Sequence, residues 1–213
     1  PILSFSGKAQ EPMQGCSLSS DGSTALGWGG QGTICVLNLE DGTPLRRVTS
    51  RWGIVNNAAI NSQFTRLFLV ATVNKLQFGI IDLVEDRPID IQGLDHQQDF
   101  GFSAEGCFIA NDQRLLIWEP HLSTFSLFEA NSASLIVTVK TKGPVTSIIP
   151  SRDSTRFALL TFGGDVYVYE SQSGRLISSQ VQLGAAILSA AWIPDGSRIV
   201  LMTSSGRLSI LDP

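Results

Sequence analysis

The chain predicts an all-β fold built from five successive four-stranded antiparallel sheets, and three observations carry that prediction. A polar turn recurs at Asp21, Gln63, Asp112, Asp153 and Asp195, with gaps of 42, 49, 41 and 42 residues. A hydrophobic run ending in a polar residue recurs at Asn38, Asp82, Glu129, Glu170 and Asp212, which lie 17, 19, 17, 17 and 17 residues after those turns. Between the two markers stand short runs rich in β-branched and aromatic residues, broken by Gly, Ser, Asp and Asn, and no segment keeps a long stretch at helical spacing. A period of this length belongs to solenoids and propellers, in which no single repeat can bury its apolar face alone.

Taken in order, the first repeat opens with a strand over 13–19 and carries its third strand over 34–37. The second opens over 55–61 and ends on a strand over 88–91. The third opens over 104–110. Trp118 precedes an acid and imitates a third-strand ending, but only the run 125–129 restores the spacing of 17, so Trp118 is assigned to the second strand. The fourth is the clearest: 145–151, a turn at Arg152, Asp153 and Ser154, then 157–161, a break at Gly163 and Gly164, then 166–169, and a last strand at Leu176 and Ile177. The fifth opens over 187–193 and closes at 208–211. Five residues before the turn marker the first strands carry Cys16, Ala58, Cys107, Ile148 and Ala190, read as one repeat position. Many of their residues are small, which suits a crowded inner rim.

Composition narrows the class. Apolar residues make up 43% of the 213 and charged residues 16%, so one globular domain over 1–213 is expected. A net charge of −4, with Arg46, Arg47 and Arg51 as the one basic cluster, argues against nucleic-acid binding. No apolar run reaches the ~20 residues of a membrane helix, so no membrane insertion is expected. The chain opens at Pro1 with no visible secretory signal and is expected to be processed or excerpted. Three cysteines, an odd number, make no secreted framework and are expected as buried reduced thiols in an intracellular, cytoplasmic protein.

The turn at Ser19, Ser20, Asp21 and Gly22, its counterpart at Pro194, Asp195 and Gly196, and strands ending Ile81-Asp82, Phe128-Glu129, Tyr169-Glu170 and Leu211-Asp212 resemble the WD40-repeat family of β-propellers. The likeness spans essentially the whole chain. The copies are degenerate: no repeat keeps a Trp before the acid, and no Gly-His pair precedes a first strand. The resemblance implies a β-propeller of about five blades, or part of a seven-bladed ring, acting as a rigid non-catalytic platform for other proteins. Residues 2–5 read as a fourth strand placed to complete the last blade and close the ring.

Chemistry is weighed against that scaffold. A glycoside hydrolase needs two carboxylates facing one substrate, and the first strands carry only Glu105. His96 and His121 are the only histidines, no Gly-x-Ser-x-Gly elbow occurs, and no Cys or His pair has metal-ligand spacing. The glycines at 29, 30 and 32 join two strands and precede no helix, so they read as a turn rather than a phosphate cradle. No catalytic residue, cofactor or metal is therefore expected. In a propeller one face carries the fourth-to-first and second-to-third loops. That face would hold Trp28, Trp52, Asp95 and His96 in the extended loop 93–99, and His121. Loops on rigid frames carry recognition and Trp is common in hot spots, so these five are the candidate partner-binding residues. The expected function is a protein–protein interaction scaffold, toward a separate protein or other domains of the same chain. The alternatives are a small-ligand or glycan-binding propeller, or an intramolecular regulatory domain.

Overall fold

Alternating apolar residues in short runs, punctuated by turn formers, fold as strands because each run can bury one or both of its faces between neighbouring sheets. The computed structural model describes residues 12–19, 21–50, 53–72, 76–89, 91, 104–120, 122–180 and 184–213. Every regular element among them is a strand. Sheet 1 holds β1 (Met13–Leu18), β2 (Thr24–Gly29), β3 (Thr33–Asn38) and β4 (Pro44–Thr49). Sheet 2 holds β5 (Ile54–Ile60), β6 (Arg66–Thr72), β7 (Leu76–Asp82) and β8 (Arg87–Ile89). Sheet 3 holds β9 (Glu105–Ile109), β10 (Arg114–Trp118), β11 (Thr124–Glu129) and β12 (Leu135–Lys140). Sheet 4 holds β13 (Val145–Pro150), β14 (Arg156–Thr161), β15 (Val166–Glu170) and β16 (Leu176–Gln180). Sheet 5 holds β17 (Ile187–Trp192), β18 (Ile199–Thr203) and β19 (Leu208–Leu211). Each is an antiparallel meander, and the array is consistent with a β-propeller-like fold. The expected first strands agree with β1, β5, β9, β13 and β17 to within a residue at each end, and Trp118 closes β10, a second strand, as its spacing predicts.

Packing follows one rule throughout. Because side chains alternate across a strand, each sheet has one face toward the preceding repeat and one toward the following. Sheet 4 sends Phe157, Leu159, Tyr167 and Tyr169 back against Leu116, Phe125 and Leu127 of sheet 3. It sends Ala158, Leu160, Val166 and Val168 forward against Ile199, Leu201 and Leu211 of sheet 5. Leu26, Trp28, Ile34 and Val36 of sheet 1 meet Leu67 and Leu69 of sheet 2. Phe68, Val70 and Ile80 of sheet 2 meet Leu115, Ile117 and Phe128 of sheet 3. Four clusters thus join the five sheets in sequence order.

The repeated polar residues brace neighbouring strands. Asp82, at the end of β7, pairs with Arg66 across the strand pair at 3.0 Å and accepts the Val84 and Glu85 backbone N–H groups at 2.9 and 3.1 Å. Arg114 pairs with Glu129 and Arg198 with Asp212 in the same cross-strand relation. An Arg opening the second strand opposite the acid ending the third is a feature the sequence reading missed, although Arg66, Arg156 and Arg198 recur three residues after their turn markers.

One register differs from expectation. Arg114 follows its marker by two residues where Thr24, Arg66, Arg156 and Arg198 follow theirs by three. The loop after β10 is a residue longer in compensation, since Arg114 pairs with Glu129 while Arg156 pairs with Glu170 and Thr24 with Asn38. The two changes cancel in the marker-to-marker distance and stay hidden there. In consequence Cys107 and Cys16 are not one repeat position. Cys107 pairs with Leu116 and packs forward with the sheet 3–sheet 4 core, whereas Cys16 pairs with Gly27 on the backward face of sheet 1. The expectation of three buried reduced thiols is corrected at Cys16, which is exposed; all three are free, and Cys35 and Cys107 are partly buried.

Candidate functional site

Outside the third repeat, whose Asp112 accepts the Ser62 backbone N–H of the preceding repeat at 2.8 Å, the turns bearing the markers are built by short polar side chains that satisfy their own backbone. Asp153 accepts hydrogen bonds from the Ser151 hydroxyl at 2.6 Å and from the Thr155 N–H at 3.1 Å. Asp21 accepts the Ser19 hydroxyl at 2.6 Å and the Ser23 N–H at 3.0 Å. In the second repeat Asn61, not Gln63, does this work, accepting the Thr65 and Arg66 N–H groups at 2.9 and 2.8 Å. Partial burial pushes the Asp153 and Asp21 carboxyls up, but the hydroxyl and N–H donors outweigh it and hold both below the ordinary carboxylate value.

A depressed folded-state pKa stabilises the protein above the unfolded value and loses that contribution as pH falls through the folded one. The wild type should therefore exceed Asp153→Asn in stability by under about 1 kcal/mol near neutrality, the group being exposed. The gap should close as pH falls below about 4, and urea midpoints measured across pH 2–7 check it.

The candidate residues part company. Trp28 is 6% exposed, and its indole lies in the core between sheets 1 and 2. Its expected place on a binding rim is corrected: it is the penultimate residue of β2, and that strand's forward face is covered by the next sheet. Gly15 makes room for it, since a Cβ there would overlap the indole Cζ2. Trp52, Asp95, His96 and His121 lie outside the described residues.

The turn-side ends of four first strands surround a cavity of about 360 Å³ lined by Ser17, Ala59, Gly106, Phe108, Pro150 and Arg152, among others. Among the described residues no carboxylate lines it. Among the described residues Glu105 is the one acid on a first strand. Burial pushes its carboxyl upward. Burial, with the Glu105 charge, pushes the Cys107 thiol up to about 12, which keeps it protonated and unsuited to nucleophilic work at neutral pH. Among the described residues no group of three or more His, Cys, Asp or Glu is placed to hold a metal ion, and no helix is long and apolar enough to cross a membrane.

No protein-family model matches the sequence, and no curated protein does. Among solved structures the chain is similar to hydrazine synthase of Kuenenia stuttgartiensis, with a TM-score of 0.64 at 11% identity over 92% of this chain and 65% of that one. At that identity the likeness is one of fold alone. The chain spans just under two thirds of that neighbour's length.

Proposed function

We propose that the chain is a WD40-like β-propeller module that serves as a non-enzymatic protein-interaction scaffold. The observation that carries this reading is the disposition of its carboxylates. Asp21, Asp153, Asp82, Glu129 and Asp212 are engaged by turn donors or cross-strand arginines, and none lines the cavity at the turn-side ends of the first strands. Four continuous apolar interfaces make the array a stiff frame, and a stiff frame lets its loops hold one recognition shape without a large ordering cost. The loop 93–99, with Asp95 and His96, together with Trp52 and His121, supplies the recognition surface. The partner is a protein or another domain of the same polypeptide. Free thiols support a reducing, cytoplasmic setting. The neighbour's synthase activity is not carried over.

Capture of partners from a native extract by the wild type and by a Trp52→Ala, His96→Ala double variant tests the proposal. Loss of captured protein with the thermal melt unchanged is the expected result. An unchanged set of partners removes the loop face from consideration.

A further inference from the structure

Among the described residues, the outward faces of the first and last sheets carry exposed apolar side chains. In sheet 4 the forward face is made by two cross-strand pairs, Ala158 with Val168 and Leu160 with Val166, and all four side chains are at most 3% exposed because sheet 5 covers them. The residues 42 further along, Val200 with Ile210 and Met202 with Leu208, form the same face of sheet 5. They are apolar like their counterparts, yet Met202 is 42%, Ile210 66% and Leu208 70% exposed.

At the other end, the backward face of sheet 1 pairs Ala25 with Leu37 and Gly27 with Cys35, flanked by Leu18 and Cys16 of β1. Leu18 is 61% and Met13 41% exposed, and Cys16 is exposed. In sheets 2 to 5 the face turned toward the preceding repeat is buried core.

Large apolar side chains in register on a sheet face mark an interface rather than a solvated surface. The array itself shows what covers such a face: in all four described interfaces a forward face is met by the backward face of another repeat. Among the described residues sheet 1 does not serve sheet 5 in this way, since Leu18 and Cys16 on the one face and Leu208 and Ile210 on the other are exposed.

We propose that both end faces are covered by further repeats of the same four-stranded kind, contributed by polypeptide outside these 213 residues. Such a repeat turns a backward apolar face to Val200, Met202, Leu208 and Ile210, and another turns a forward face to Cys16, Ala25 and Leu37.

Cys16 is a native probe of this and needs no substitution. Maleimide labelling, mapped by peptide mass spectrometry, is compared between the 213-residue chain and the complete gene product, with an Ile210→Cys variant as the probe of the other end. Expected is Cys16 and Ile210→Cys labelling near the free-thiol rate in the 213-residue chain, and at least tenfold slower in the complete product at every protein concentration. Equal rates in the two overturn the proposal, as does a complete product that adds no residues. Protection already present in the monomeric 213-residue chain overturns it in favour of closure on its own first sheet. Protection that grows with the concentration of that chain, and is no greater in the complete product, overturns it in favour of a second copy. Each outcome is independent of whether the loop around His96 binds a partner.

Discussion

Phe157→Ala is expected to lower the stability of the array by about 3–5 kcal/mol, the cost of removing a buried aromatic ring. The Phe157 side chain is fully buried between sheets 3 and 4. Its ring meets that of Phe125 edge-on at 5.4 Å and 89°, and stacks on Tyr169 at 5.3 Å and 14°. Phe125 and Tyr169 are themselves 5.0 Å apart at 75°. The three rings therefore form a closed set to which each sheet contributes, and the substitution removes two of its three pairs, each worth about 0.5–1.5 kcal/mol beyond burial. Because a repeat contacts only its neighbours, the loss falls on one interface and should also reduce cooperativity between the first three sheets and the last two. Urea unfolding followed by tyrosine and tryptophan fluorescence measures both effects. Phe157→Leu, which keeps most of the volume, should cost less than half as much. A loss under about 1.5 kcal/mol for Phe157→Ala, well below the range for buried aromatics, would show that this interface is not packed as described.

Trp28→Ala is expected to cost a similar amount, about 3–5 kcal/mol. The indole fills the core between sheets 1 and 2 and lies across Gly15 of β1. Gly15→Ala should be destabilising for the complementary reason, since its new methyl would overlap the ring and force it out of place. The pair makes a diagnostic cycle. In the Trp28→Ala background the Gly15→Ala substitution has lost its clash and should be close to neutral, so the two costs are strongly non-additive. Thermal and urea melts of the four proteins provide the numbers. A Trp28→Ala protein as stable as wild type would return this residue to the candidate binding face.

The architecture was legible because it is written redundantly. Five copies of a turn chemistry and a strand pattern place β1, β5, β9, β13 and β17 to within a residue, and alternation alone separates forward from backward faces once the strands are set. Spacing places Trp118 in its second strand against its local appearance, and the structure agrees. The register of the third repeat was not legible. Its shorter turn and longer following loop cancel in the distance between markers, and only the hydrogen-bonded pairing of Arg114 with Glu129 and of Leu116 with Cys107 separates them. The candidate site was the least legible part. A Trp at the end of a strand reads equally well as a rim anchor or as core, because the sequence gives the residue's place along the strand but not what faces it.

The sequence by itself determined the class of fold, the number of repeats in this stretch and the order of strands within each. These follow from local chemistry repeated at a fixed period. Only the tertiary structure decided which polar residues are structural, that Trp28 is core, and that the apolar faces at Cys16 and Ile210 are left open. The physical reason is that burial is a relation between two sheets. A pattern of alternating residues states that a face must be covered, while the neighbouring repeat determines whether it is.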